Sequence, residues 1–306
     1  MTARDQLIAA REMAAGARSR KRRRRIGVFG VFATLLTVGL AVLFFFPLFW
    51  ALSSALKRPT ELYVIPPIWW PASPQWQNFV EVGKVVPFYT YFKNTFVITI
   101  LGMIGGVGSA SLVGYGFSAF RFPGRNILFI IVLSTMILPG EVTLIPTFLI
   151  FNRLGWVNTF KPLIVPNYLG GGAFSIFLFR QFFSSIPKDL NDAAKIDGCS
   201  SFRFYWRILI PLSMPVVITL CILYFQFLWN DLMGPLIYLS SMEKYTISQG
   251  LLFMRTYFTG TVSRVGQPMD HLLMAGSVVA MLPVLIIFLA LQRYFIKGVI
   301  MTGLKG

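Results

Sequence analysis

Six stretches of about twenty largely apolar residues, each close to the length needed to cross the hydrocarbon core of a bilayer, constrain this chain more than any other feature. They fall at approximately residues 26 to 53, 95 to 119, 127 to 148, 163 to 180, 214 to 235 and 272 to 292. The expected fold class is therefore an all-α integral membrane protein with six transmembrane helices. The third stretch is the least regular, because Pro139-Gly140-Glu141 interrupts it and Pro146 follows. Its outer end is expected to be broken or re-entrant, an arrangement tolerated only where protein or water covers the freed backbone.

Composition agrees. Of 306 residues, 56% are hydrophobic and only 13% are charged, against about 25% charged in a soluble domain. The net charge of +17 raises the question of nucleic acid, yet nine of the 28 Lys and Arg lie in residues 1 to 25, ending in the run Lys21 to Arg25. A basic run directly ahead of an apolar span beginning at Ile26 reads as a topogenic anchor, so no nucleic acid is expected as a partner. The span itself exceeds the 7 to 15 or so apolar residues of a signal peptide and is expected to be retained.

Six spans place both termini on one side, and the arginine-rich N-terminus is expected to be cytoplasmic. The cytoplasmic side then holds 19 of the 28 Lys and Arg: the tail, Arg121 and Arg125, five from Arg180 to Arg207, and three from Arg293 onward. The other nine lie outside, an asymmetry that supports the orientation. The expected organisation is a basic cytoplasmic tail over 1–25, a first transmembrane helix over 26–55, an extracytoplasmic loop over 56–90, a membrane domain over 91–295 with a cytoplasmic loop at 181–211, and a cytoplasmic tail over 296–306. Trp69, Trp70 and Trp76 in the first outer loop suit an interfacial aromatic belt. A second outer segment, 236 to 270, carries Tyr245, Phe253, Tyr257 and Phe258 and is long enough to touch an external partner.

Between the fourth and fifth spans lies a polar segment, Asp192-Ala-Ala-Lys-Ile-Asp-Gly198, followed after nine residues by Ile208-Leu-Ile-Pro211. Pro187 in the first turn, Asp189 near the positive end and Gly198 as a left-handed stop predict a short helix over 187 to 197. Leu190, Ala193, Ala194 and Asp197 share one face, and the two alanines leave room for close seating against another surface. An ordinary amphipathic loop helix is the plainer alternative. In the second span, Gly102, Gly106, Ala110 and Gly114 recur every four residues, a spacing that lets helices approach closely within the subunit or against a sister subunit.

Chemistry is otherwise sparse. There is no Gly-x4-Gly-Lys-Ser/Thr phosphate loop, no Gly-x-Ser-x-Gly elbow and no His-Glu-x-x-His pair. Cys199 and Cys221 offer neither a disulfide framework nor metal spacing, and His271 has no companion ligand, so no catalytic or metal site is expected. Gly114-Tyr-Gly116 echoes a dinucleotide-binding glycine run but lies in an apolar helix with no strand before it. Polar groups within spans tend to line pathways or bond between helices. Glu141, Asn167, Gln226, Asn230 and Asp231 are therefore the candidates for a translocation path, with Trp229 as a candidate interfacial anchor.

The loop Asp192-Ala-Ala-x3-Gly198-x9-Ile208-x-Ile-Pro211 resembles the EAA motif of the inner-membrane permeases of binding-protein-dependent ABC importers. Arg121-Phe-Pro-Gly-Arg125, Trp229-Asn-Asp-x3-Pro235-Leu-Ile-Tyr238, Lys244-Tyr-Thr, Gln292-Arg-Tyr-Phe-x-Lys-Gly298 and Lys305-Gly306 extend the likeness to the MalG-like subunits of the carbohydrate class. Asp192 stands where that family usually has Glu, and Ile210 where it usually has Leu. The resemblance implies the type I ABC importer permease fold, a MalF-like second permease, two ABC ATPase subunits and an extracytoplasmic solute-binding protein, all in the cytoplasmic (inner) membrane among its lipids. It implies ATP and Mg on the partner subunits and no cofactor in this chain. It also assigns ATPase coupling to Asp192, Ala193, Ala194, Gly198, Ile208 and Pro211, with Asp192 paired to a basic residue and the alanines seated in a groove. An ion-gradient-driven secondary transporter using Glu141 or Asp231 is the alternative.

Overall fold

The computed structural model describes residues 28 to 265 and 269 to 303. The basic tail over 1–25 and the ending Lys305-Gly306 lie outside the described residues. Among those described, regular structure is helical and no strand occurs. The chain divides into two units at the Trp50–Ala51 boundary.

Helix α1, Val28–Ala55, forms the first unit as far as Trp50. Phe29, Phe32, Leu35, Val42 and Phe44 are all exposed. A helix apolar on every side is one whose solvent is lipid. Its hydroxyls turn back on the helix, Thr34 donating to the Gly30 carbonyl and Thr37 to that of Ala33, each at 2.8 Å. Neither hydroxyl is then left facing hydrocarbon.

The second unit comprises α2 (Asn78–Val85), α3 (Phe88–Ala119), α4 (Arg125–Ser134), α5 (Gly140–Arg153), α6 (Ala173–Ser185), α7 (Lys188–Ile196), α8 (Met214–Trp229), α9 (Met233–Tyr238), α10 (Ile247–Val265) and α11 (Asp270–Gly303). Helix α3 is its axis, packing against α6 on one side and α8 on another. The small-residue stripe makes this possible. A Cβ at Gly102 would lie 2.8 Å from Leu228 Cδ1, one at Gly114 would lie 2.6 Å from Phe179 Cβ, and one at Gly106 would strike the Tyr224 ring. The stripe therefore seats helices within this subunit.

Among the described residues four helices are long and apolar enough to cross a membrane, at Phe29–Ala55, Phe88–Ala119, Lys161–Ser185 and Asp270–Gln292, and the number rises to six if each of two bent helix pairs is one span. Every expected span finds a counterpart, but three differ in detail. The third stops at Ile137 and restarts at Gly140 with a 101° bend, because Pro139 cannot continue the hydrogen-bond ladder. The fourth is interrupted at Gly170-Gly-Gly172, all at positive φ, and resumes as α6. The fifth bends by 78° between Leu212 and Met214 and ends at Trp229 rather than 235, where the chain breaks before α9.

The two ends of this unit have separate cores. At one, Phe117, Phe129, Phe179, Phe183, Ala194, Phe204, Tyr205 and Leu209 pack together. At the other, Ala55, Val82, Tyr91, Met254, Phe258, Leu272 and Ala275 do. Phe258, from the outer segment 236 to 270, is buried here. Segments 120–125 and 185–211 meet at the aromatic end, and 56–87, 154–160 and 239–246 at the opposite one.

Candidate functional site

Helix α7 is built by its flanks. Pro187 caps it in an extended conformation, one position earlier than expected, and Asp189 occupies the first turn. At its other end Gly198 takes φ +74, the Gly198 N–H reaches the Lys195 carbonyl at 3.0 Å, and the Cys199 N–H reaches that of Ala194 at 2.8 Å. This paired closure around a left-handed glycine is a Schellman motif, and it reverses the chain toward the segment that follows.

The helix is amphipathic in an unequal way. Ala194 is only 7% exposed and belongs to the aromatic core, so it seats the helix on its own subunit. The groove contact expected of both alanines is thus open only to Ala193, which is exposed with Leu190 and, at 88%, Ile196. Asp192 is exposed and pairs with Lys195 one turn on, 3.6 Å away. Beyond Gly198, Ser200 caps the next turn by accepting the Arg203 N–H at 3.3 Å. Residues Tyr205–Leu209 then form a π-turn. Ile208 packs half-buried against the aromatic core, while Pro211 is exposed.

Two hydrogen bonds made by three hydroxyls not singled out in the sequence tie this loop to α3. Tyr205 and Ser111 share a short, buried hydrogen bond, and the Tyr115 hydroxyl donates to the Ser201 carbonyl at 3.2 Å. The signal lay in Gly114-Tyr-Gly116, read only for its glycines, with the tyrosine between them making the contact.

The polar groups of the spans do not form one cluster. Glu141 is exposed in the first turn of α5. The Asn167 side chain donates to the Leu163 carbonyl one turn back at 3.0 Å, and its backbone carbonyl accepts from Ser109 of α3 at 2.9 Å, so the link to another helix runs through its backbone. Gln226, Asn230 and Asp231 meet at the end of α8. Gln226 and Asn230 are exposed, with the Asn230 amide donating to the Gln226 carbonyl at 2.8 Å, and Asp231 accepts the Gly234 N–H at 3.1 Å to cap α9. Trp229 is no interfacial anchor: it is 1% exposed, donates to the Ala280 carbonyl at 3.0 Å and stacks on Phe225. Beside it, Asn230, Ser248, Leu251, Ser277 and Met281 line a cleft of about 340 Å³. Broken backbone within a span is stable where it borders such a cavity.

Known proteins share this architecture. The profile of the family described as "Binding-protein-dependent transport system inner membrane component" matches residues 106–301, from the middle of α3 into α11. The arabinooligosaccharides transport system permease protein AraQ of Bacillus subtilis is 35% identical over 92% of this chain and 98% of its own length. AraQ of Halalkalibacterium halodurans is 33% identical over 90% and 98%. The sn-glycerol-3-phosphate transport system permease protein UgpE of Yersinia enterocolitica is 30% identical over 87% and 94%. Among solved structures, a chain of a bacterial ABC transporter involved in the import of the acidic polysaccharide alginate superposes with a TM-score of 0.77 at 24% identity, over 89% of this chain and 98% of that one. The chain belongs to the family of binding-protein-dependent transport system inner membrane components.

Proposed function

We propose that this chain is one of two permease subunits of an ATP-driven ABC importer for a sugar, oligosaccharide or related polyol. Its partners in this reading are a MalF-like second permease, two ATPase subunits that carry ATP and Mg, and an extracytoplasmic binding protein that delivers the solute. Arg121, Arg125, Arg180, Lys188, Lys195, Arg203 and Arg207 gather toward the aromatic end, which favours a cytoplasmic location for that end and for both termini. The names of AraQ and UgpE support the solute class.

The observation that carries the reading is α7 itself. It is a short helix seated through Ala194 and otherwise largely exposed, and the segment that follows it is tied through Tyr205 and Tyr115 to the central helix. A subunit without a nucleotide site needs such a handle if a partner's ATP cycle is to favour one access state over another. Asp192, Ala193, Gly198 and Pro211 form the docking face, and Ile208 transmits from beneath. Asn230, at the cleft beside Trp229, is the group best placed for a solute hydroxyl, and Gln226 of α8 is exposed one turn before it. Asp231 and Asn167 hold the backbone and helices around them, and Glu141 borders the break in the third span.

Reconstitution in proteoliposomes tests this directly. Uptake of an oligosaccharide should require the second permease, the ATPase subunits, the binding protein and enclosed ATP. Solute uptake by this chain alone, driven by a proton or sodium gradient, would establish the ion-coupled alternative instead.

A further inference from the structure

We propose that the loop between α3 and α4, together with Arg180 of α6, binds the phosphate of an anionic phospholipid headgroup. Arg121, Phe122, Gly124, Arg125, Asn126 and Ile127 line a shallow recess of about 410 Å³. Arg180 joins them from the neighbouring helix. Its guanidinium carbon lies 3.7 Å from the centre of the Phe129 ring, and Phe129 is one turn beyond Arg125 on the same face of α4. The Arg125 charge is close enough to act on Arg180.

Three guanidinium groups thus gather where no carboxylate neutralises them. Among the described residues none of the three arginines takes part in an ion pair. Arg125 uses one donor on the Phe120 carbonyl, at 3.2 Å, which holds its side chain against the loop. Arg180 is half-buried, and stacking on an aromatic face offsets only part of what a cation loses in leaving water. Converging like charges at the edge of a low-dielectric region repel unless an anion joins them. A phosphate diester fits: planar guanidinium groups bind its oxygens in forked pairs, and Asn126 adds an amide donor.

The surroundings select the source of that phosphate. Phe120, Phe122, Ile127 and Leu128 flank the recess and are exposed, so a bound ligand meets apolar surface beside the charges. The loop also joins α3, long and apolar enough to cross a membrane, to α4, the first half of a bent pair that qualifies only as a whole, and a loop between two such spans meets the headgroup layer. A lipid supplies both a phosphate and acyl chains to this arrangement, whereas free inorganic phosphate satisfies only the first.

Native mass spectrometry of the intact complex, released from bilayers of phosphatidylcholine with a minority of phosphatidylglycerol, tests the proposal. Wild type should retain phosphatidylglycerol in preference to phosphatidylcholine, and excess inorganic phosphate should not displace it. The double substitution Arg121→Gln and Arg125→Gln should lower retention about tenfold, as expected for lost charge-assisted hydrogen bonds. Arg121→Lys with Arg125→Lys should keep most of it, which guards against misfolding as the cause. No preference in wild type, or retention unchanged in the glutamine variant, would overturn the proposal. Displacement by inorganic phosphate would do so in favour of a free-anion site, and loss of the ATPase subunits with lipid retained would do so in favour of an acidic protein surface.

Discussion

The two ends of the helical unit are held together by different chemistry. At the end around Tyr91 and Tyr238, carboxamides reach backbone groups far along the chain. Asn78 donates to the Ala55 and Lys57 carbonyls at 2.8 and 3.0 Å, Asn94 to those of Glu243 and Tyr245 at 2.8 and 3.0 Å, and Gln249 to that of Leu239 at 3.1 Å. Asn158 accepts the N–H groups of Ser240 and Ser241 at 3.2 and 3.1 Å. At the other end rings do most of this work: Tyr115 packs against Phe120, Phe183 and Tyr205 with centroids 5.4, 6.4 and 5.3 Å apart, and two hydroxyl bonds complete the join. Directional amide bonds fix loops in place. Ring packing tolerates small shifts, and here it carries an exposed helix whose proposed task is to be moved.

This contrast predicts that substitutions at the amide end lower stability and leave partner binding alone, while those on α7 do the reverse. The largest stability loss should come from Asn158→Ala. It removes the acceptor of two backbone N–H groups, that of Ser241 part-buried, together with the side-chain amide hydrogen bond to Ser241, and places alanine at φ +59, where asparagine is tolerated, for a loss of about 2 to 4 kcal/mol. The melting temperature of the detergent-solubilised complex should fall while ATPase copurification per folded complex stays constant. A loss of ATPase at unchanged melting would break the contrast.

Gly114→Ala, nearer the aromatic end, should cost about 1 to 3 kcal/mol by overpacking, because the new methyl group meets Phe179 Cβ at 2.6 Å and the Arg180 amide nitrogen at 3.1 Å. Thermal denaturation of the variant checks this, and an unchanged melting temperature would mean that ring packing at this end yields more readily than its geometry suggests. The smallest stability effect should be that of Asp192→Ala. Its pair with Lys195 is exposed and contributes about 0 to 1 kcal/mol. ATP-driven uptake should nevertheless drop severalfold, and wild-type uptake would remove Asp192 from the docking face.

Local signals were legible in the sequence and long-range ones were not. Pro187, Asp189 and Gly198 set the limits of α7 because caps act within a turn, and the break at Pro139-Gly140 follows from the missing proline N–H. Ala194 looked like half of an exposed pair, since helical periodicity gives the face and not what covers it. Trp229 resembled an anchor because its acceptor, the Ala280 carbonyl, lies 51 residues away. Asn158 drew no notice, since its side-chain partner Ser241 is 83 residues distant. The bend near Ser213 was likewise invisible, because Pro211 and Pro215 suit early turns of a helix as readily as a break.

The central claim is that α7 is where a partner ATPase takes hold, and copurification of that ATPase with a Gly198→Asp variant tests it most directly. Gly198 at φ +74 has open space where a Cβ would stand, so the substitution strains one exposed turn and adds a charge without disturbing the core. The account predicts a membrane level equal to wild type, with copurified ATPase and ATP-driven uptake both reduced at least about tenfold. Full ATPase copurification together with full uptake would contradict it.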